Sequence, residues 1–272
     1  IWGHKLHSHT HSYIHYGFHR AFHYLGYKCL WLDNNDDISN IDFSKSLFIT
    51  EGQVDKNIPI KNDCIYLLHN CNGLKYSNVG NVFNIQVITK ADLNRYSYTK
   101  FTNEYGYYSG DQLLLCWATD LLPEEININI KHVQNNELKS SNNLNFVAMS
   151  IYPWDEVKIW CENNGYKYNN YGGFSNNVSC KKNMELIQES ILAPAFQEKW
   201  QVVNGYIPCR IFKNISYGKM GITNNSFVNE LFNNKLIYGE NIHETLDLAL
   251  VNNNKDKLIS LMEEVRDKHT YV

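Results

Sequence analysis

Short apolar runs recur along the 272-residue chain, helical periodicity fills the gaps between them, and most runs end on a polar residue. These observations predict an α/β fold with a mainly parallel sheet, because strands buried on both faces read as continuous apolar runs and helices make the crossovers. A polar stretch over residues 128–143 divides the pattern into two halves of one style. The expected architecture is two Rossmann-like domains facing across a cleft. Residues 1–130 form the first, 131–143 a linker with little to fill a core, 144–254 the second, and 255–272 a closing helix.

In the first half, Ile1, Trp2 and Gly3 read as the end of a strand, and residues 4–11 as a histidine-rich loop. Ser12 is the expected N-cap of a helix in which Ile14, Phe18, Ala21, Phe22 and Leu25 keep helical spacing and Gly26 stops the run. Strands follow at 28–32, 47–49, 65–68, 85–88 and 113–117. They end at Asp33, Thr50-Glu51-Gly52, His69-Asn70 and Thr119-Asp120 among others.

The second half restarts with a strand at 146–149 and a helix at 154–163 that ends before Gly165. A helix over 183–190 runs into a strand at 191–193. Residues 208–217 form a helix with Pro208 in its first turn, where the missing N–H costs nothing, and Gly218 as its stop. A strand at 220–222, a helix at 226–232 and two helices at 243–251 and 255–268 close the chain.

A formal net charge of −3, with lysines and arginines scattered, excludes the electrostatic footprint of a nucleic-acid binder. Seven cysteines, an odd number with no CxxC pair, are expected as reduced core thiols in a cytoplasmic environment. No apolar stretch approaches a membrane span and no signal peptide is visible, so a soluble chain is expected, although an opening on apolar Ile1 leaves room for residues ahead of a first strand.

Ligands of open α/β sheets bind outside the carboxyl ends of the strands. That rule makes Glu51, His69, Asp120 and the loop histidine His9 the candidate catalytic bases. In the second half, the start of helix 208–217 is a natural anion cradle, with free N–H groups and Arg210 one turn in. Tyr206, Pro208, Arg210, Lys213, Asn214, Thr223 and Asn224 are therefore the expected contacts of a bound diphosphate and its substituents. Tyr152, Phe196 and Trp200 are candidates to stack on a nucleobase; each alone is also explained by packing.

The run from Arg210 through Gly218 to Thr223, with Ala193-Pro194-Ala195-Phe196-Gln197 upstream, resembles the donor-site motif of GT-B glycosyltransferases, exostosin-like ones especially. More loosely, the whole chain is similar to the glycan-building transferases of large algal viruses, a xylosyltransferase among them. The resemblance implies transfer of a sugar, xylose being one candidate, from a nucleotide sugar to a hydroxyl of a glycan. UDP-sugars are the first choice of donor and GDP-sugars the second, and no metal is needed; a base from the first half would imply inversion, the expected course, with retention the open alternative. Many relatives carry an acidic residue on this helix for the ribose hydroxyls, where this chain has Lys213, so the ribose contact stays unassigned.

The histidines leave three readings open. His15, His19 and His23 recur every four residues and are expected on a solvated face. His7, His9 and His11 resemble the HxH opening of PHP-type or amidohydrolase-type metallohydrolases, which makes a metal-dependent hydrolase the rival function. One or two of the loop histidines facing the cleft would instead serve as a base or contact a sugar or phosphate. A non-catalytic nucleotide- or glycan-binding protein is the remaining rival.

Overall fold

The computed structural model describes residues 1–5, 10–95, 97–100, 106–148, 153–172, 178–252 and 254–272. The protein is mixed α/β, built on a six-stranded, mainly parallel sheet, with ten α-helices among the described residues.

The first half runs α1 (Thr10–Tyr24), β1 (Leu47–Glu51), β2 (Ile65–His69), β3 (Val82–Val87), α2 (Lys90–Arg95), β4 (Thr99–Lys100), β5 (Gly106–Ser109), β6 (Gln112–Leu115) and α3 (Pro123–Gln134). Its sheet has the order β1-β2-β3-β6-β5-β4. The first four strands in that order are parallel, and β5 and β4 add an antiparallel edge. Trp2 bridges Leu32 and Thr50 in parallel, so the chain start lies beside β1 and extends the sheet. Alternation along β2 explains its burial on both faces. Tyr66 and Leu68 join Phe48 and Phe43 in one cluster, while Leu67 packs on the opposite cluster of Ile14, Ile85 and Trp117.

The second half runs β7 (Asn143–Val147), α4 (Trp154–Asn163), β8 (Lys167–Tyr171), α5 (Cys180–Glu189), α6 (Lys199–Asn204), α7 (Cys209–Ser216), β9 (Ile222–Thr223), α8 (Ser226–Leu231), β10 (Ile237–Tyr238), α9 (Ile242–Val251) and α10 (Lys255–Lys268). Strands β7 and β8 pair in parallel, as do β9 and β10. The chain between α5 and α6 links the pairs: Ile191 N–H donates to Asn143 O at 2.7 Å and Ala195 N–H to Ile222 O at 2.9 Å.

Helix α7 is buried almost all round, through Ile211, Phe212, Lys213, Asn214, Ile215 and Ser216. It ends in a Schellman motif: Gly218 N–H bonds Ile215 O at 2.9 Å and Lys219 N–H bonds Asn214 O at 3.0 Å. Gly218 has φ +92°, and a Cβ there would meet Leu138 Cδ1 at 2.6 Å, so only glycine fits.

Several expectations are corrected. Residues 131–134, expected in the linker, are the last turn of α3. Ile126, Ile130 and Val133 recur at i, i+4 and i+7 and are buried; the asparagines and lysine between them conceal the stripe. Leu122 N–H is capped by the Glu125 side chain at 2.9 Å, and Pro123 opens the first turn. Ser12 lies inside α1 rather than capping it. Pro208 is the N-cap of α7 and Cys209 its first helical residue. The strand expected at 28–32 is reduced to one bridge at Leu32, and 191–193 forms no named strand. The polar strand β8 and the short helix α6 have no counterpart among the expectations.

The two halves share a core. Tyr13, Ile88 and Leu114 belong to the same cluster as Leu144, Phe146, Phe212 and Val265. Helix α10 packs on both α3 and α7. Beyond it the chain returns to the first half, where Thr119 N–H donates to His269 O at 3.0 Å and Thr119 bridges Thr270.

Candidate functional site

Two polar clusters flank the N-terminal part of α1. The first lies at the carboxyl ends of β1 and β2, whose last residues, Glu51 and His69, are partners in the parallel register. Glu51 is 1% exposed, and its Oε2 meets His4 Nε2 at 2.9 Å and accepts Gln53 N–H at 3.0 Å. The His4 ring lies 5.2 Å from that of His11 and 5.3 Å from that of His15. His11 in turn packs edge-on against His69 at 4.9 Å, and His69 against Trp117 at 4.9 Å.

Burial dominates the acid–base state here, because it penalises the charged imidazolium. It lowers the His11 pKa, opposed by the Glu51 carboxylate and assisted by His4. Burial brings His69 down to about 4, with His11 and His4 adding to the effect. His15 is buried rather than solvated, and burial takes it to about 3 although its Nδ1 contacts Gly3 O at 2.9 Å. His19 is half-buried and His23 exposed, so the expected solvated face holds only toward the helix end.

On its other side α1 presents Tyr13 to Asp120. The buried Asp120 carboxylate accepts hydrogen bonds from Tyr13 and from Tyr217, the latter at 2.9 Å, and the two hydroxyls also touch each other. Burial raises the Asp120 pKa, while the two tyrosines, Lys213 and Arg20 oppose the shift. Arg20 secures the neighbouring backbone by donating to Asp120 O at 3.0 Å and to Glu125 at 2.8 Å. Asp120 thus sits in a closed network of donors.

The second cluster is a small, largely enclosed pocket whose walls include Asn145, Phe146, Trp154, Pro194, Arg210, Lys213 and Asn214. Two cations share it. The half-buried Arg210 guanidinium lies 4.4 Å from the Phe146 ring centre and 5.4 Å from that of Trp154. Among the described residues no carboxylate comes within ion-pairing distance of it. Burial lowers its pKa to about 10. Lys213, 6% exposed, sits 5.1 Å over the Tyr13 ring with Asn183 Oδ1 at 3.4 Å, and burial followed by the charge of Arg210 lowers it to about 8. Asn214 donates to Ala193 O at 2.8 Å, while its own Oδ1 is buried with no hydrogen-bond partner among the described residues.

Of the expected donor-binding residues, the structure brings Arg210, Lys213 and Asn214 to this pocket, with Pro208 capping the helix that carries them. Four others knit the backbone nearby and line no part of it. Asn224 clasps Gln197 through two 2.9 Å bonds, Tyr206 O accepts from Gln197 and Asn225, Thr223 Oγ1 accepts Asn225 N–H at 3.1 Å, and Phe196 is core. Trp200 is 57% exposed on α6. His7, His9 and Tyr152 lie outside the described residues.

Sequence reasoning placed His4 in the histidine-rich loop without giving it a role of its own, and did not single out Asn145, Phe146, Asn183 or Trp154. His4 had a usable signal, since it directly follows an apparent strand end. The pocket aromatics had none, because an apolar strand residue and a helix-start tryptophan read as core. Compared with known proteins, the chain matches no family model, no curated protein and no solved structure. Among the described residues no helix is long and apolar enough to cross a membrane.

Proposed function

We propose that the chain is a glycosyltransferase that holds the diphosphate of a nucleotide sugar at Arg210 and Lys213. The observation that carries this reading is two cations on one face of α7, lining one pocket, with no carboxylate paired to Arg210 among the described residues and with the tyrosine-bound Asp120 as the carboxylate that acts on Lys213. A cation withdrawn from water without an anionic partner is costly, and an anionic ligand removes that cost. The same charges, with the dipole at the start of α7, would neutralise a departing nucleoside diphosphate, so the diphosphate needs no metal. The orphaned Asn214 oxygen accepts a hydrogen bond from a ligand hydroxyl or amide.

The finer reading is a GT-B arrangement, with parallel α/β halves and a closing helix that returns to the first. The first half then offers the acceptor side, where His69 and Glu51 stand at strand ends as candidate bases. A base there implies inversion. The donor class is a UDP-sugar, UDP-xylose included, or a GDP-sugar, and the acceptor is a glycan hydroxyl.

The test is a thermal-shift and calorimetric screen of UDP-, GDP- and dTDP-sugars. A donor at about 100 times its Kd adds about 2.7 kcal/mol of apparent stability. Arg210→Ala is expected to weaken the best donor by about tenfold or more, as loss of a charge-assisted contact requires. Unchanged affinity in that variant places the donor elsewhere; no binding by any nucleotide sugar rejects the function.

A further inference from the structure

We propose that His4, His11 and Glu51 form a site for one divalent transition-metal ion of the Zn²⁺ class, separate from the Arg210 pocket. Each residue offers one donor atom, and all three atoms lie within 4.8 Å of one another. Tetrahedral zinc at about 2.0–2.1 Å from its ligands keeps donor atoms about 3.4 Å apart, so side-chain movements of up to about 1.4 Å close the set. Two imidazoles and one carboxylate are a ligand set that zinc takes readily, and three protein ligands leave the fourth position to water or a substrate oxygen.

Three observations support a built site. The buried Glu51 has His4 as its hydrogen-bond partner, with no lysine or arginine paired to it among the described residues. A divalent cation supplies the charge that a buried carboxylate lacks. The backbone is spent on placing His4: Gly3 and His4 are consecutive left-handed residues, at φ +86° and +61°. A Cβ at Gly3 would lie 2.1 Å from Val54 Cγ2, and a non-glycine residue in that region costs about 1 kcal/mol or more. Finally, the donors are braced from behind: Gln53 N–H holds Glu51, and the His69 ring, packed on Trp117, stands edge-on against His11. A plain His4–Glu51 hydrogen bond would need neither His11 beside it nor the strained turn.

The chain carries its own control. His19 and His23 lie one turn apart toward the exposed end of α1, with Nε2 atoms 3.2 Å apart, a pair able to take up zinc adventitiously.

The experiment uses the full chain, stripped with EDTA and titrated with Zn²⁺ by calorimetry and with Co²⁺ by visible spectroscopy. One equivalent of Zn²⁺ is expected to bind at micromolar or lower concentration, and Co²⁺ to show the intense absorption of four-coordination. His11→Ala and Glu51→Gln are each expected to weaken binding about tenfold or more with circular dichroism unchanged, and His23→Ala to leave it within about twofold. If Glu51→Gln does not fold, the half-buried His11 decides alone. The proposal is overturned if the chain binds no Zn²⁺ at micromolar concentration, or if binding survives loss of His11 and falls with His23→Ala. Donor binding at Arg210 is read separately and does not enter either outcome.

Discussion

Lys213 shows how a single residue can be held against its own preference. Its ammonium is buried in α7, and that burial lowers its pKa to about 8. The folded state thus pays to keep the charge at neutral pH, and the cost disappears if the charge is removed. Lys213→Met is expected to raise the melting temperature of the unliganded protein by about 2 °C or more, since a gain of about 1 kcal/mol moves a chain of this size by that amount. The same variant is expected to bind the donor more weakly. A fall in melting temperature would show that Lys213 is a structural cation held by Asn183 and Tyr13 rather than one poised for a ligand. Arg210 and Lys213 were both legible as donor contacts from the helix-start pattern. The lack of a carboxylate beside Arg210 was not, because it depends on what β7, α4 and α5 bring near.

At the scale of elements, α3 is the informative case. Its sequence looks polar, yet Ile126 is fully buried while Ile128, two residues on, is 51% exposed. A linker would treat the two alike; a helix turns them to different faces. Ile126→Ala is expected to cost about 2–4 kcal/mol in urea denaturation, and Ile128→Ala less than about 0.5 kcal/mol. Equal, small effects would contradict the helix. Helices with apolar stripes and clear ends, such as α4 and α10, were read from the sequence at the boundaries the structure has. The polar strand β8 was not readable, because its side chains carry no apolar alternation and its pairing with β7 is made by the backbone.

At the scale of the whole molecule, the chain end ties the halves together. The His269 ring stacks on Phe212 at 4.4 Å, and its carbonyl accepts Thr119 N–H from the first half. Burial lowers its pKa to about 3, as it does for His15. The unfolded chain binds a proton at each of these positions from pH ~6.5 downward, whereas the folded chain does so only near pH 3. Stability contributed by the neutral rings is therefore intact above pH ~6.5 and lost progressively as pH falls toward 3, by about 2 kcal/mol per ring at pH 5. Melting temperature should drop steeply between pH 6.5 and 4, and His269→Leu should flatten that slope. An unchanged slope in the variant would mean that other groups carry the acid sensitivity.

The sequence by itself determined the α/β class, the strand ends that present Glu51 and His69, and the helix that carries Arg210. All of these are written in the spacing of near neighbours, where side-chain period and capping act over a few residues. Only the tertiary structure decided which polar residues meet. His4 and Glu51 are 47 positions apart, and the walls of the pocket come from β7, α4, α5 and α7. Such contacts are made by the closure of long loops and the packing of a shared core, and no local pattern records them.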